Sequence, residues 1–153
     1  MAKMLDISSL QVYLSARIAP ARALGLIVEA DDPVTIAAPL EANVNDKGTG
    51  FAGSLFSVAA LAGWLHLMRW CSDRSLDAEV ALQGASAQFV APARAGFRAV
   101  AGEPRREDRE RLELMLARRG RGRIEIPIEV SCESRQVMTL AGVYAVTLAA
   151  VAK

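Results

Sequence analysis

Residues 43–71 read NVNDKGTGFAGSLFSVAALAGWLHLMRWC, a polar, glycine-bearing loop that passes without a break into a nearly all-apolar stretch. The apolar part has the length of about five helical turns. A helix that is hydrophobic all round has no face to give to water, so in a short chain it is the axle that the other elements wrap. Its first turn leaves backbone N–H groups without intrahelical acceptors, and the helix dipole is positive there. The junction near Gly53 and Ser54 is therefore suited to an oxyanion that develops during a reaction.

The segments on either side supply the wrapping. Upstream, Leu5, Leu10, Val12, Leu14 and Ile18 are spaced as a short amphipathic helix, with Asp6 or Ser8 as its cap and Pro20 as its stop. Residues 24–30 and 34–38 are short strand-like runs on either side of a turn at Asp31, Asp32 and Pro33, which predicts a hairpin. Downstream, residues 77–90 read as a long strand with a bulge at Gly84, and residues 94–101 as a strand whose Phe97, Ala99 and Ala101 share one face. Residues 105–119 have helical spacing at Leu112, Met115 and Leu116, which predicts a surface helix closed by Gly120 and Gly122. Residues 123–131 alternate cleanly, with Ile124, Ile126, Ile128 and Val130 facing in and Pro127 placing the strand at an edge or bulge. Residues 136–151 are apolar on both faces, so that strand is central or covered by a partner subunit. The sum is an α+β chain: a curved antiparallel sheet of five or six strands wrapped around the long apolar helix, with an extra surface helix between two strands.

At 153 residues the chain is long enough for one domain, spanning 1–153, and too short for two. A hydrophobic fraction of 52% leaves apolar surface that a homodimer or homotetramer would cover. The net charge of +1 gives no general argument for nucleic acid or membrane as a partner. Cys71, Cys132 and the lone His66 lack the spacing of a metal site or a histidine-based triad. The start, MAKMLDISSL, lacks the apolar core of a signal peptide, and residues 54–68 fall short of the ~20 residues that span a bilayer, so a cytoplasmic location is expected.

Pro39, Leu40, Asn43, Asn45, Gly48, Thr49, Phe51, Gly53 and Ser54, followed by the helix with Ala62-Gly63-Trp64, resemble one branch of the hotdog fold. It is the thioesterase-like domain that stands behind an acetyltransferase domain in some bacterial proteins and alone in others. The resemblance covers nearly the whole chain, including the arginine-rich helix and the RIEIPIEV strand. It implies a hotdog fold and a pantetheine-linked thioester substrate, carried by acyl carrier protein or CoA, with no other cofactor. Members of this branch include malonyl-acyl-carrier-protein decarboxylases, which make acetyl-carrier protein for the start of fatty-acid synthesis.

The chain departs from ordinary hotdog thioesterases at the residues that activate water. One branch carries an aspartate in a D-x-x-G loop before the helix, where this chain has Asn45 in Asn45-Asp46-Lys47-Gly48. Another carries a carboxylate about two turns into the helix, near Ala60, and no acid lies between Ser57 and Gly63. Hydrolysis needs a base or nucleophile, whereas a malonyl thioester supplies its own leaving carboxylate and asks only that its carbonyl be held as an enolate. The resemblance therefore implies decarboxylation, with Asn45 orienting the substrate, N–H groups near Gly53 and Ser54 binding the enolate oxygen, and Asn43, Thr49 and Phe51 forming the surrounding pocket. Acyl-thioester hydrolysis and a non-catalytic carrier-binding module are the alternatives.

Between Glu103 and Arg123 eight arginines face five acids. Acyl carrier proteins are acidic, so Arg118, Arg119 and Arg121 are candidate docking residues, with a solvated face laced by ion pairs as the plainer reading. Plainer readings also attach to Asn43 and Asn45 as turn residues, to Thr49 and Ser54 as helix caps, and to His66, Trp64 and Trp70 as packing or interface residues.

Overall fold

The computed structural model describes residues 5–150. Six strands form one antiparallel sheet in the order β1-β2-β4-β5-β6-β3, where β1 is Ile27–Asp31, β2 Val34–Ala38, β3 Ala78–Phe89, β4 Phe97–Ala101, β5 Arg121–Cys132 and β6 Arg135–Leu148. The sheet curls around helix α3, Ala52–Asp73, which packs against β2, β3, β4, β5 and β6. No residue from Gly53 to Ser72 is exposed, as expected of a nearly all-apolar helix.

The strand alternation places one face of each inner strand against this helix. Ile124, Ile126, Ile128 and Val130 of β5 are buried, as are Phe97, Ala99 and Ala101 of β4. Each fully buried leucine, isoleucine or phenylalanine contributes roughly 1.5–3 kcal/mol. Tyr144 of β6 is wholly buried, and its Oη donates to the Ala60 carbonyl of α3 at 2.7 Å. A Cβ on Gly63 would lie 2.2 Å from that hydroxyl and a Cβ on Gly142 2.7 Å from the ring, so the tyrosine lies between two glycines. Ala62-Gly63-Trp64 thus marks the place where helix and sheet approach through one aromatic ring.

Two prolines act differently from the sequence expectation. Helix α1, Ile7–Arg17, is capped by the Asp6 carboxylate accepting from Ser9 N–H, and it ends before Pro20. Pro20 then begins a short helix α2, Ala19–Ala23, because the first turn of a helix needs no N–H. That turn consumes Leu24 and Gly25, so β1 starts at Ile27 instead of residue 24. Pro127 does not put β5 at an edge: β5 lies between β4 and β6. β4 accompanies β5 only from Ile128 to Ser131, and the Pro127 carbonyl accepts from Gly102 N–H just past the end of β4. The missing N–H falls where the neighbouring strand has run out.

Helix α4, Arg106–Arg119, packs against the early part of β5 that β4 leaves unpaired, burying Leu112 and Leu116. Gly120 closes it in the left-handed region at φ 67°. Gly122 is no cap; it lies in β5 where a Cβ would meet Leu112 at 2.8 Å. The bulge in β3 falls between Leu82 and Gly84, so Gln83 is the extra residue. β4 begins at Phe97, not at residue 94, and β6 ends at Leu148, short of the expected end at Val151: Ala149 and Ala150 are outside the strand, and Val151 lies outside the described residues.

The two sheet edges are treated differently. At β1 the Gln11 side chain of α1 accepts from Val28 N–H at 2.7 Å and donates to the Leu26 carbonyl at 3.3 Å. At β3, the other edge, twelve residues carry one formal charge, Glu79, and expose Leu82, Phe89 and the adjoining Val90.

Candidate active site

The loop before α3 is organised by its own side chains. Val44 bridges Gly50, the Asn45 N–H donates to the Thr49 carbonyl at 2.8 Å, and the Phe51 N–H donates to the Asn43 carbonyl at 2.7 Å. Gly50 N–H donates to Ala93 O at 2.7 Å, which fastens the loop to the β3–β4 connection. Gly48, at φ 74°, takes the left-handed position that closes the turn.

Asn43 is buried, 2% exposed, and its amide nitrogen donates to the Leu24 carbonyl at 2.9 Å and the Pro39 carbonyl at 2.7 Å. Both amide hydrogens are committed, so the donors expected for substrate instead tie the loop to the end of β2 and the turn before β1. Asn43→Ala leaves two carbonyls without donors and is expected to cost about 2–3 kcal/mol. A thermal melt within a degree of the parent would contradict this.

Asn45 is half-buried and bonded on both ends. Its Oδ1 accepts from Lys47 N–H at 2.9 Å and Thr49 N–H at 3.0 Å, the Asx-turn pattern. Its Nδ2 donates to Thr49 Oγ1 at 3.0 Å and only distantly to Gly50 O, at 3.5 Å. The oxygen shapes the loop, while one amide hydrogen remains weakly engaged.

Neither Thr49 nor Ser54 caps α3; the N-cap residue is Phe51, without a side-chain bond. The N–H groups of Ser54 and Leu55 both donate to Phe51 O at 3.0 Å. Those of Ala52 and Gly53 have no acceptor among the described residues. The Ser54 N–H, expected to be free, is therefore engaged, and the free N–H groups at this end of the helix are those of Ala52 and Gly53. Ser54 is buried, and the neighbouring Ser57 Oγ donates to Gly53 O at 2.8 Å. The Phe51 ring lies over Gly53, where a Cβ would come within 2.5 Å of it, and remains 53% exposed. An apolar wall thus stands beside two free donors at the positive end of a 22-residue helix.

Asp46 pairs with Lys47 at 3.0 Å on the surface, both side chains more than three-quarters exposed. Cys71 is buried, and burial pushes its thiol up to about 11, so it is no thiolate nucleophile at neutral pH. Among the described residues no group of His, Cys, Asp and Glu could hold a metal ion.

His66 sits far along α3 beside Arg69, Trp70, Glu103 and Arg109, and burial holds its imidazole below the ordinary 6.5. Because the folded value is depressed, the stability it contributes is full above the unfolded value and is lost as pH falls from there through the folded value. Melting temperature is expected to fall between pH 7 and 5 more steeply in the parent than in His66→Gln. Parallel curves would show that His66 does not carry the slope.

The arginines divide into two groups. Arg105 and Arg111 pair with Asp108, Arg106 with Glu110, and Arg109 with Glu103, which is the ion-paired surface of the plainer reading. Arg118, Arg119, Arg121 and Arg123 have no acidic partner among the described residues. Arg119, Arg121 and Arg123 join Arg111, Met115 and Gln83 around a trough of about 670 Å³, while Arg118 is outside that lining. The trough and the Asn45 loop lie toward opposite ends of β5. Arg121 starts β5, and Cys132 ends it beside Ala95, in the connection that holds Gly50.

A curved antiparallel sheet around one apolar helix, with a structured loop at the helix N-terminus, defines a hotdog domain. The chain belongs to the family described as "Putative thioesterase (yiiD_Cterm)", which it matches over residues 7–148. Its fold is similar to that of a protein of unknown function from Chlorobaculum tepidum TLS, at 23% identity and a TM-score of 0.85, covering 94% of this chain and 98% of that one. It is also similar to a "putative thioesterase" from Shewanella oneidensis, at 20% identity and a TM-score of 0.81, covering 94% and 97%. A "probable thioesterase" from Pseudomonas aeruginosa follows at 22% identity and a TM-score of 0.80, covering 97% and 100%. At such identities these likenesses carry the fold alone. No curated protein matches the chain. No helix among the described residues is long and apolar enough to cross a membrane.

Proposed function

We propose that the chain is a cytoplasmic decarboxylase of malonyl groups held as thioesters on acyl carrier protein, with the CoA thioester as the smaller substrate. The observation that carries this reading is the donor set of the site. It offers an amide hydrogen on Asn45 and two free N–H groups at Ala52 and Gly53, while the Thr49 hydroxyl is turned to Asn45 Oδ1 at 3.2 Å and the loop's one carboxylate, Asp46, is paired in solvent. In the reaction the bond between the malonyl carboxylate and the methylene carbon breaks, and its electron pair moves to the thioester oxygen as carbon dioxide leaves. Ala52 and Gly53 N–H would stabilise that enolate oxygen, with the helix dipole behind them. Asn45 Nδ2 would hold the substrate in register, and Phe51 would strip water from the departing carboxylate. A proton from solvent then completes the acetyl thioester, and no cofactor takes part.

The arginines at the end of α4 would attract the acidic carrier, and two or more copies would form the working unit through the uncovered β3 edge. Mass spectrometry of malonyl-carrier protein incubated with the purified chain should show loss of carbon dioxide with the thioester intact. A second reading, hydrolysis of an acyl thioester, is favoured by the description of the family itself. Release of free carrier thiol without an acetyl product would establish it in place of decarboxylation.

A further inference from the structure

We infer that the cavity beside the C-terminal part of α3 binds a small amino acid, which sets its carboxylate on the Arg69 guanidinium and its ammonium group toward Asp32. This cavity is separate from the Asn45 loop. His66, in its wall, follows Gly53 on α3 by roughly 20 Å of axial rise, so nothing about it depends on the reaction proposed above.

The cavity, of about 190 Å³, forms where four segments meet: α3 with His66 and Arg69, the β1–β2 turn with Asp32, the β4–α4 connection with Glu103, and α4 with Arg109. Pro104 of the connection and Ile124 of β5 supply apolar wall. Sites for drug-sized ligands run to roughly 300–1,000 Å³, so the occupant here has only a few heavy atoms.

Most of the lining charges are matched. Arg109 donates to Glu103 at 2.9 Å, and Arg74 lies 4.2 Å over the Trp70 ring and reaches Glu113 at 3.6 Å. Arg69 is not matched. Its side chain is only 14% exposed, and its one ion-pair partner among the described residues, Asp73, stands 3.6 Å from Nε, beyond hydrogen-bond reach. Nε is shut off from water, which leaves the terminal nitrogens as the donors that a ligand in the cavity can reach. A guanidinium so far out of solvent is costly unless its fork of N–H groups is met, and a carboxylate meets it with two parallel bonds. Asp32 is the opposite case: exposed on the turn, it has no cationic partner among the described residues.

An unmet cation in the wall and an unmet anion at the mouth select a ligand that carries both signs. A simple anion would answer Arg69 but crowd Asp32, Asp73 and Glu103, and a simple cation would answer Asp32 and leave Arg69 as it is. The same charges reach His66. Burial above all keeps its ring below the ordinary 6.5, with Arg69 and Arg109 adding to that and Glu103 and Asp32 opposing it. At about pH 7.5 the imidazole is therefore neutral, and its signals report what enters the cavity and not its own titration.

His66 is the only histidine, so the untagged, ¹³C-labelled chain gives one imidazole signal to follow by NMR. Glycine, alanine and β-alanine are titrated in turn, and at least one is expected to move that signal saturably, with a Kd about tenfold or more below those of acetate and methylamine. No saturable shift with any of the three, or acetate binding as tightly as the best of them, overturns the inference. Asp32→Asn, on an exposed turn, should fold as the parent does, keep acetate binding unchanged and lower amino-acid binding to the level of acetate. Arg69→Gln should lose both ligands. Amino-acid binding undiminished in either variant overturns the site, and Asp32→Asn decides alone if Arg69→Gln does not fold. Asn45→Ala should bind the amino acid as the parent does; a weakened Kd there would move the ligand to the Asn45 loop and overturn the assignment to this cavity.

Discussion

Asn45→Asp is expected to lower decarboxylation at least ~10²-fold while leaving the fold intact. The loop depends on the Asn45 oxygen, which accepts from Lys47 N–H and Thr49 N–H, and an aspartate oxygen accepts both equally well. What aspartate removes is the Nδ2 donor that reaches Thr49 Oγ1 at 3.0 Å and has a second hydrogen only loosely held by Gly50 O. It also adds a negative charge where a malonyl carboxylate must bind. Asn45→Ala is expected to lose activity to a similar extent and stability as well, because two backbone donors in the loop lose their acceptor. Comparing the two variants in one assay separates the atoms: equal activity in Asn45→Asp and the parent would assign the residue to loop structure alone. A gain of thiol release in Asn45→Asp would show that a carboxylate at this position turns the same site toward hydrolysis.

Gly63→Ala should be the most damaging single methyl group in the core. Its Cβ would stand 2.2 Å from Tyr144 Oη and 2.7 Å from Cζ, and the tyrosine has little room to shift because it is wholly buried and its hydroxyl is held by the Ala60 carbonyl. Overpacking of this kind costs about 3 kcal/mol, or roughly 6–12 °C in a chain of this size. Gly63→Ala combined with Tyr144→Phe removes the nearest atom of the clash and should melt above Gly63→Ala alone. If the two losses simply add, the close approach does not set the stability of this contact.

The sheet was legible because β5 and β4 alternate over one buried face, and the helix because residues 53–72 are too apolar to offer a whole face to water. The prolines were not, since the same missing N–H that ends a helix also begins one at Pro20. At Pro127 it is harmless where β4 has stopped. The Asn45 loop could be placed before the helix from the sequence, but not the different hydrogen bonds of the Asn45 oxygen and nitrogen, which depend on which backbone groups the turn brings near. Which N–H groups stay free at the helix end was not legible either, because the Ser54 N–H turns back to Phe51 O in the first turn. The separation of paired from unpaired arginines was also hidden, because it depends on where Glu103 and Asp108 come to lie. Gln11 gave no signal at all, since its task is set by a strand it meets only after folding.

That glutamine bears on how assembly ends. A sheet with two open edges can add copies without limit and grow into a ribbon. In this chain one edge is occupied by an amide from its own first helix, bonded to Val28 and Leu26, while the other is bare. Pairing through the bare edges leaves only two β1 strands at the margins, each already occupied, so edge-to-edge addition stops at twelve strands, six from each copy. One side chain would set the boundary between a finite particle and a polymer.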